Sequence, residues 1–424
     1  MIDLVRDDQK PSSIINWLSQ QWVLWLFLGL AIRIILIPFS LHIDSSFIGD
    51  IVVMNQYAHL YIFDLTSPLL GAPFYPPLAF YTIGLFQILF RAFSMPIPLG
   101  IFGTQAAIDF LTTTFVFRQL FFFKIWYLAF DLGVIYLLWR MFRDDKRKAR
   151  IILLFWLLNP IIIYNAYLHG QFDVVPIFFI VLALYLAKQE RHAWAVFFIG
   201  IAACFKIYPL LFLPPAVFIL SRSWQDKVKL LLIGLLPFIV SLLPYIDEYS
   251  RSASGYGDWF FKVGYDIGFG GTVYVFFALY AALLWYIEYK GFQGFESFWR
   301  ACFITLLIYY PFSYFDLHYY AWLMPFATLY LAENPKIIKL YLFAFLCLLI
   351  LLFQTPVASF FAPISPKYFL RLPSLQELLS PYLPILFIMN VFRSFLVGTL
   401  FWLAWLVMRD MPASRAAVLS GEEK

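Results

Sequence analysis

FFFKIWYLAFDLGVIYLLWRMF, residues 121–142, runs directly into RDDKRKAR, residues 143–150. A run this long, dominated by Phe, Leu, Ile, Trp and Tyr, is enough for a helix to cross the roughly 30 Å hydrocarbon core of a bilayer. The cations beside it, Arg140, Arg143, Lys146, Arg147, Lys148 and Arg150, mark the next loop as cytoplasmic, because short loops rich in Lys and Arg stay on that side.

Composition extends this reading to the whole chain. Of 424 residues, 63% are hydrophobic and 13% charged, against roughly 45–50% and about 25% in soluble domains. No compact particle in water has interior enough for that share, whereas a bilayer solvates apolar side chains without such a limit. The chain therefore reads as an all-α polytopic membrane protein. Aromatic residues reach 21%, more than two interfacial belts need, so many must pack between helices or line a cavity.

Further apolar windows fall at 20–41, 76–92, 151–166, 172–187, 192–205, 207–221, 228–246, 272–289, 299–314, 320–333, 337–353 and 384–408, with a weaker one at 97–116. As these alternate across the membrane, Lys188/Arg191, Arg222/Lys227/Lys229, Lys290/Arg300 and Lys336/Lys339 fall on the cytoplasmic side. Arg6, Lys10, Arg91, Arg409, Arg415 and Lys424 join them, so most of the 30 Lys and Arg are inside. An inside N-terminus requires that 97–116 crosses or that 76–92 re-enters, which gives about 12–14 transmembrane helices. Several windows are short, and breaks at Pro or Gly beside a water-filled cavity are expected. One transmembrane domain is expected, with a cytoplasmic interfacial segment at 1–19, a first outer loop at 42–75 carrying interfacial helices, an outer loop at 354–383 and a cytoplasmic tail at 409–424.

The net charge of +5 does not suggest nucleic acid as a partner. Cys204, Cys302 and Cys347 lie in apolar runs without CxxC spacing, so neither a disulfide framework nor a thiolate metal site is expected. The first 20 residues lack an early apolar core and a small-residue cleavage site, so no cleaved leader is expected.

The chemistry is expected at the outer ends of the spans. The first outer loop, LHIDSSFIGDIVVMNQYAHLYIFDLTSPLLGAPFYPPLAFY from residue 41, carries Asp44, Asp50, His59 and Asp64. Asp44 and Asp64 read most simply as solvated or helix-capping carboxylates. Asp50 opens an amphipathic helix, where the macrodipole favours the ionised form and the carboxylate can serve as a base. Asn165-Ala-Tyr-Leu-His169-Gly-Gln171-Phe-Asp173 puts amide, imidazole and carboxylate between two spans, suited to hydrogen-bonding a polyhydroxylated ligand, although Asp173 could simply cap the next helix. Lys206 could hold a phosphate or snorkel to headgroups. Asp316 and His318 sit among aromatics at another outer junction, and 354–383 carries Lys367 and Arg371. Gly255–Gly271 is Gly-rich and reads as a substrate-facing loop. No HExxH or clustered Asp/His spacing supports a metal site, so no cofactor is expected, with a divalent metal left open.

In order and sidedness these motifs resemble the integral-membrane GT-C glycosyltransferases, in particular the mannosyltransferase branches. Asp50, Tyr57-Ala58 and Tyr75-Pro76-Pro77-Leu78 match the first-loop pattern. Gly170-Gln171-Phe172-Asp173 and Lys206-Ile207-Tyr208-Pro209 match later ones, and His318-Tyr319-Tyr320 matches loosely. The chain departs from the family pattern in the spacing of Asp44 and Asp50 and in KIYP where the family has Lys-Pro. The resemblance implies inverting transfer of a hexose, mannose first, from a polyprenyl-phosphate donor to a lipid- or protein-linked acceptor hydroxyl on the extracytoplasmic face. It implies Asp50 as base with Asp44 as the alternative, and Lys206, Arg371 and Lys367 as phosphate ligands. His169, Gln171, Asp173, Asp316 and His318 would position sugar or acceptor. A lipid-linked sugar transporter or flippase is the competing reading, but it calls for polar groups near the midplane. Here Arg33 and Arg393 are the mid-span exceptions.

Overall fold

The computed structural model of the chain describes residues 20–39, 58, 75–93, 109–246, 263–268, 271–313 and 316–412. Its principal helices are α1 (Trp22–Leu36), α2 (Pro77–Leu89), α3 (Val116–Phe142), α4 (Lys146–Leu157), α5 (Val174–Lys188), α6 (His192–Ala203), α7 (Leu213–Leu220), α8 (Trp224–Leu242), α9 (Val275–Lys290), α10 (Gly294–Tyr309), α11 (Met324–Glu333), α12 (Ile338–Leu351) and α13 (Ile385–Arg409). Among the described residues, five helical stretches are long and apolar enough to cross a membrane: Val116–Phe142, Lys146–His169, Trp224–Tyr245, Pro335–Gln354 and Ile385–Arg409. Shorter apolar helices, α1, α2, α5, α6 and Tyr208–Leu220, accompany them. The protein is an all-α polytopic membrane protein. Asp44, Asp50, His59, Asp64 and most of the weak window at 97–116 lie outside the described residues.

The stretch after α3 shows how sequence sets local geometry. Asp145 caps α4 by accepting from the Lys148 amide at 2.9 Å, which satisfies an amide the first turn leaves unpaired. The apolar run then meets Asn159-Pro160, and proline has no amide to continue the ladder. Asn159 caps the restart, its side chain accepting from the amides of Ile161 at 3.0 Å and Ile162 at 3.3 Å. The restarted helix widens into a π-turn over Ile163–His169 and ends at Gly170. Gly170 has φ 82°, a left-handed conformation that glycine adopts without penalty. Wide turns of this kind occur often at functional sites. The proline breaks at Pro209 and Pro325 likewise fall in or just after short 3-10 segments, Tyr208–Phe212 and Leu317–Leu323.

Close helix approach relies on small residues, as is common in bilayers. A Cβ on Gly200 of α6 would collide with the carbonyl of Gly234 in α8, so the two backbones touch there. Burial grades the spans: 61% of the apolar window of Lys146–His169 is buried, against 17% for Pro335–Gln354 and 11% for Trp224–Tyr245. The first is the central element and the last presents its face to lipid. One large apolar cluster, drawn from α3 through α13, meets a smaller one built around Ile37, Phe80, Leu120, Tyr127, Tyr167, Phe172 and Phe205.

The Gly-rich segment differs from the loop expected at 255–271. Its described part forms a β-hairpin, β1 (Gly264–Gly268) and β2 (Gly271–Tyr274), antiparallel, with Tyr265 opposite Val273 and Asp266 opposite Thr272. Aromatic and β-branched side chains favour the extended backbone there and outweigh the glycines.

Candidate active site

The π-turn and Gly170 bring the segment 165–173 against the 3-10 segment 317–323 and the junction after α6. Asp173 is the hub. It stands in the N-cap position of α5 but makes no capping bond. Its carboxylate, fully buried, is 2.6 Å from Lys206 Nζ. It also accepts from Trp322 Nε1 at 2.8 Å and Asn165 Nδ2 at 2.9 Å. The helix-capping alternative is thereby replaced by an ion pair with further hydrogen bonds. A buried carboxylate requires that arrangement, since an isolated buried charge is far costlier than a paired one.

Lys206 is only 4% exposed, so it does not snorkel to headgroups. Besides Asp173 it donates to Gln171 Oε1 at 3.2 Å. The rings of Tyr75, Phe172 and Trp322 lie 5.1, 5.0 and 6.0 Å from its ammonium, which offers cation–π stabilisation. Tyr208 stacks on Trp322 with centroids 3.7 Å apart.

Asn165 also donates to the backbone carbonyl of His318 at 2.7 Å, tying the hub to the next group. His318 is buried, with Nδ1 2.9 Å from Asp316 Oδ1. Its ring centroid lies 5.2 Å from that of His169, which stacks on Tyr164 and meets the edge of Phe360. Burial opposes ionisation of Asp316, yet His318 and His169 beside it hold its carboxyl below the usual range. Three buried polar atoms around this cluster, Asn165 Oδ1, Tyr208 OH and His318 Nε2, have no protein partner among the described residues. Buried polar atoms are almost always satisfied, and ligand hydroxyls are suitable partners for all three.

The structure thus joins His169, Gln171, Asp173, Lys206, Asp316 and His318. It does not join Lys367 and Arg371 to them. Both are exposed, and their side chains have no partner among the described residues. They follow Phe360 and Phe361 on the 357–371 segment, in which Phe361 packs near Phe39 and Phe369. Arg393 lies within α13. Among the described residues no group of three or more His, Cys, Asp or Glu could hold a metal ion.

A second buried network escaped the sequence reading, which counted Arg33 and Arg393 as the mid-span exceptions. Asp131 of α3 accepts from Arg33 Nε at 2.6 Å, from Tyr167 OH at 2.8 Å and from Trp156 Nε1 at 2.7 Å. Arg33 also donates to the carbonyls of Leu157 at 2.6 Å and Gly29 at 3.0 Å. Lys124, fully buried on α3, donates to the carbonyl of Tyr167 at 2.8 Å and to that of Phe39. The available signal was in the opening stretch: Lys124 and Asp131 are seven residues apart, nearly two turns, inside a span where ionisable groups are rare.

Residues 74–308, more than half of the chain, match the family model of glycosyltransferase family 87. That span contains Lys124, Asp131, Asn165, Asp173 and Lys206 and stops short of Asp316 and His318. A curated relative, GPI mannosyltransferase 1 of Kluyveromyces lactis, is 31% identical over 136 residues, 31% of this chain and 34% of the relative. The chain spans about a third of the length of that relative.

Proposed function

The chain belongs to glycosyltransferase family 87, and from that premise we propose that it moves a hexose, mannose first, from a polyprenyl-phosphate-linked donor to an acceptor hydroxyl. The acceptor is lipid- or protein-linked, the transfer inverts the anomeric centre, and the site faces the extracytoplasmic side, opposite the 143–150 loop. The observation that carries this reading is that the Asp173–Lys206 hub lies inside the family span and has open buried polar atoms around it. The name of the relative supports mannose as the sugar.

Inverting transfer needs a group to take the acceptor proton and cations to receive the departing phosphate while an oxocarbenium-like centre forms. Asp50, with Asp44 as the alternative, takes the proton. Lys367 and Arg371, exposed and without side-chain partners among the described residues, bind the donor phosphate through charge-assisted hydrogen bonds. Lys206, fixed by Asp173, adds its remaining N–H. His169, Gln171, Asp173, Asp316 and His318 position sugar and acceptor.

The test is incubation of the purified protein with polyprenyl-phosphate-mannose, -glucose and -arabinose analogues and candidate acceptors, with product detected by mass. Mannosylated product is expected, and no product with any donor overturns the reading. Asp50→Asn is expected to lower turnover by about 10²–10⁴-fold. Turnover near the unsubstituted level would remove Asp50 as base and transfer the role to Asp44.

A further inference from the structure

Lys124 is a buried side-chain amino group outside the Asp173 hub, and Asp131 on the same face of α3 is already paired with Arg33. Among the described residues its acceptors are backbone carbonyls, those of Phe39 and Tyr167. Phe39 lies just past the end of α1, and its amide bonds back to Leu36 O at 3.0 Å. Tyr167 lies in the last turn of the π-turn. The Tyr167 carbonyl therefore stands at a C-terminal helix end, where acceptors lack intrahelical donors, and the Phe39 carbonyl lies in the non-helical backbone that follows α1. One level away, Asp131 repeats the contact with different groups, binding Arg33 of α1 and the Tyr167 hydroxyl. Lys124 and Asp131 thus grip the same two elements twice from one helix.

We propose that Lys124 is a positioning residue for transfer. It clamps the exit of α1, where the first outer loop departs, against the turn that carries Asn165 and His169. The proposal rests on the reading above in one respect, namely that the first outer loop supplies the base. A clamp of this kind acts by orientation: small displacements of a reacting group lower the chemical step more than ground-state binding.

The test compares Lys124→Met and Lys124→Arg with the unsubstituted full-length protein. Lys124→Met is expected to lower kcat by about 10- to 100-fold with the KM for polyprenyl-phosphate-mannose within about twofold. Lys124→Arg, whose guanidinium can still donate to two carbonyls, is expected to recover most of the loss. Hydrogen exchange, read without substrate, is expected to rise around Leu36–Phe39 and Tyr167–Gly170 in Lys124→Met and to stay unchanged in α6. Lys124→Gln, whose side chain is shorter than that of lysine and ends in a neutral amide, replaces Lys124→Met where that variant does not fold and is expected to show the same exchange pattern. Unchanged exchange at both segments overturns the clamp, and so does a loss expressed in KM alone. Failure of the unsubstituted protein to transfer any sugar overturns the functional reading instead and leaves the exchange result as the measure of the clamp.

Discussion

Asp173 and Lys206 cancel each other inside the protein, so their value is better measured by what happens when one is lost than by the strength of the contact. Removing one partner strands the other as a buried charge, at a cost of about 3–5 kcal/mol. Asp173→Asn and Lys206→Met are each expected to lower thermal stability in detergent by that order. The double variant is expected to lose much less than the sum, because it leaves no charge unpaired. Additive losses would mean that the two side chains do not depend on each other. These residues were legible because each is a polar side chain at the end of an apolar run, where hydrophobicity cannot explain it. Lys124 and Asp131 were less legible because they lie inside a run that a bilayer span accounts for without them. The partner of Asp131, Arg33, is 98 residues away, and pairing at that separation leaves no trace in local pattern. Asp44 and Asp50 lie outside the described residues, so their place rests on the motif alone.

Helix breaks at proline were expected in general, because proline removes an amide, but not which prolines make them: the helix restarts at Asn159-Pro160, yet Pro237 lies inside the unbroken α8. The widening over Ile163–His169 was not readable, since an apolar run has the same composition whether it winds with 3.6 or more residues per turn. Its C-terminal stop is open to test. At φ 82°, an L-residue with a Cβ carries roughly 1–2 kcal/mol of strain. Gly170→Ala is expected to cost that amount in unfolding free energy. It is also expected to lower transfer activity further than stability alone explains, because His169 and Gln171 flank the turn. Full activity with only a stability loss would show that the turn closes the helix without placing the site. The hairpin at 264–274 was hidden by its glycines, which signal a turn but do not fix the register of the strands beside it.

For the molecule as a whole, membrane character followed from composition, and the side proposed for each loop rests on the placement of Lys and Arg. That second inference is testable with thiol labelling. The native cysteines Cys204, Cys302 and Cys347 are buried, whereas Lys146 and Lys367 are exposed. In sealed vesicles, Lys146→Cys and Lys367→Cys are expected to react with an impermeant maleimide from opposite sides. Labelling of both from one side would invert or break the proposed topology. Burial also divides the molecule into an inner body around Lys146–His169 and an outer ring in which Trp224–Tyr245 has only 11% of its apolar window covered by protein. Such a helix packs along one seam and leaves most of its apolar surface to be solvated by the annulus of lipid around it. A delipidating detergent should therefore loosen α8 from its Gly200–Gly234 seam before it disturbs the charged interior, and loss of activity on extraction would then report a missing annulus with the catalytic body still intact.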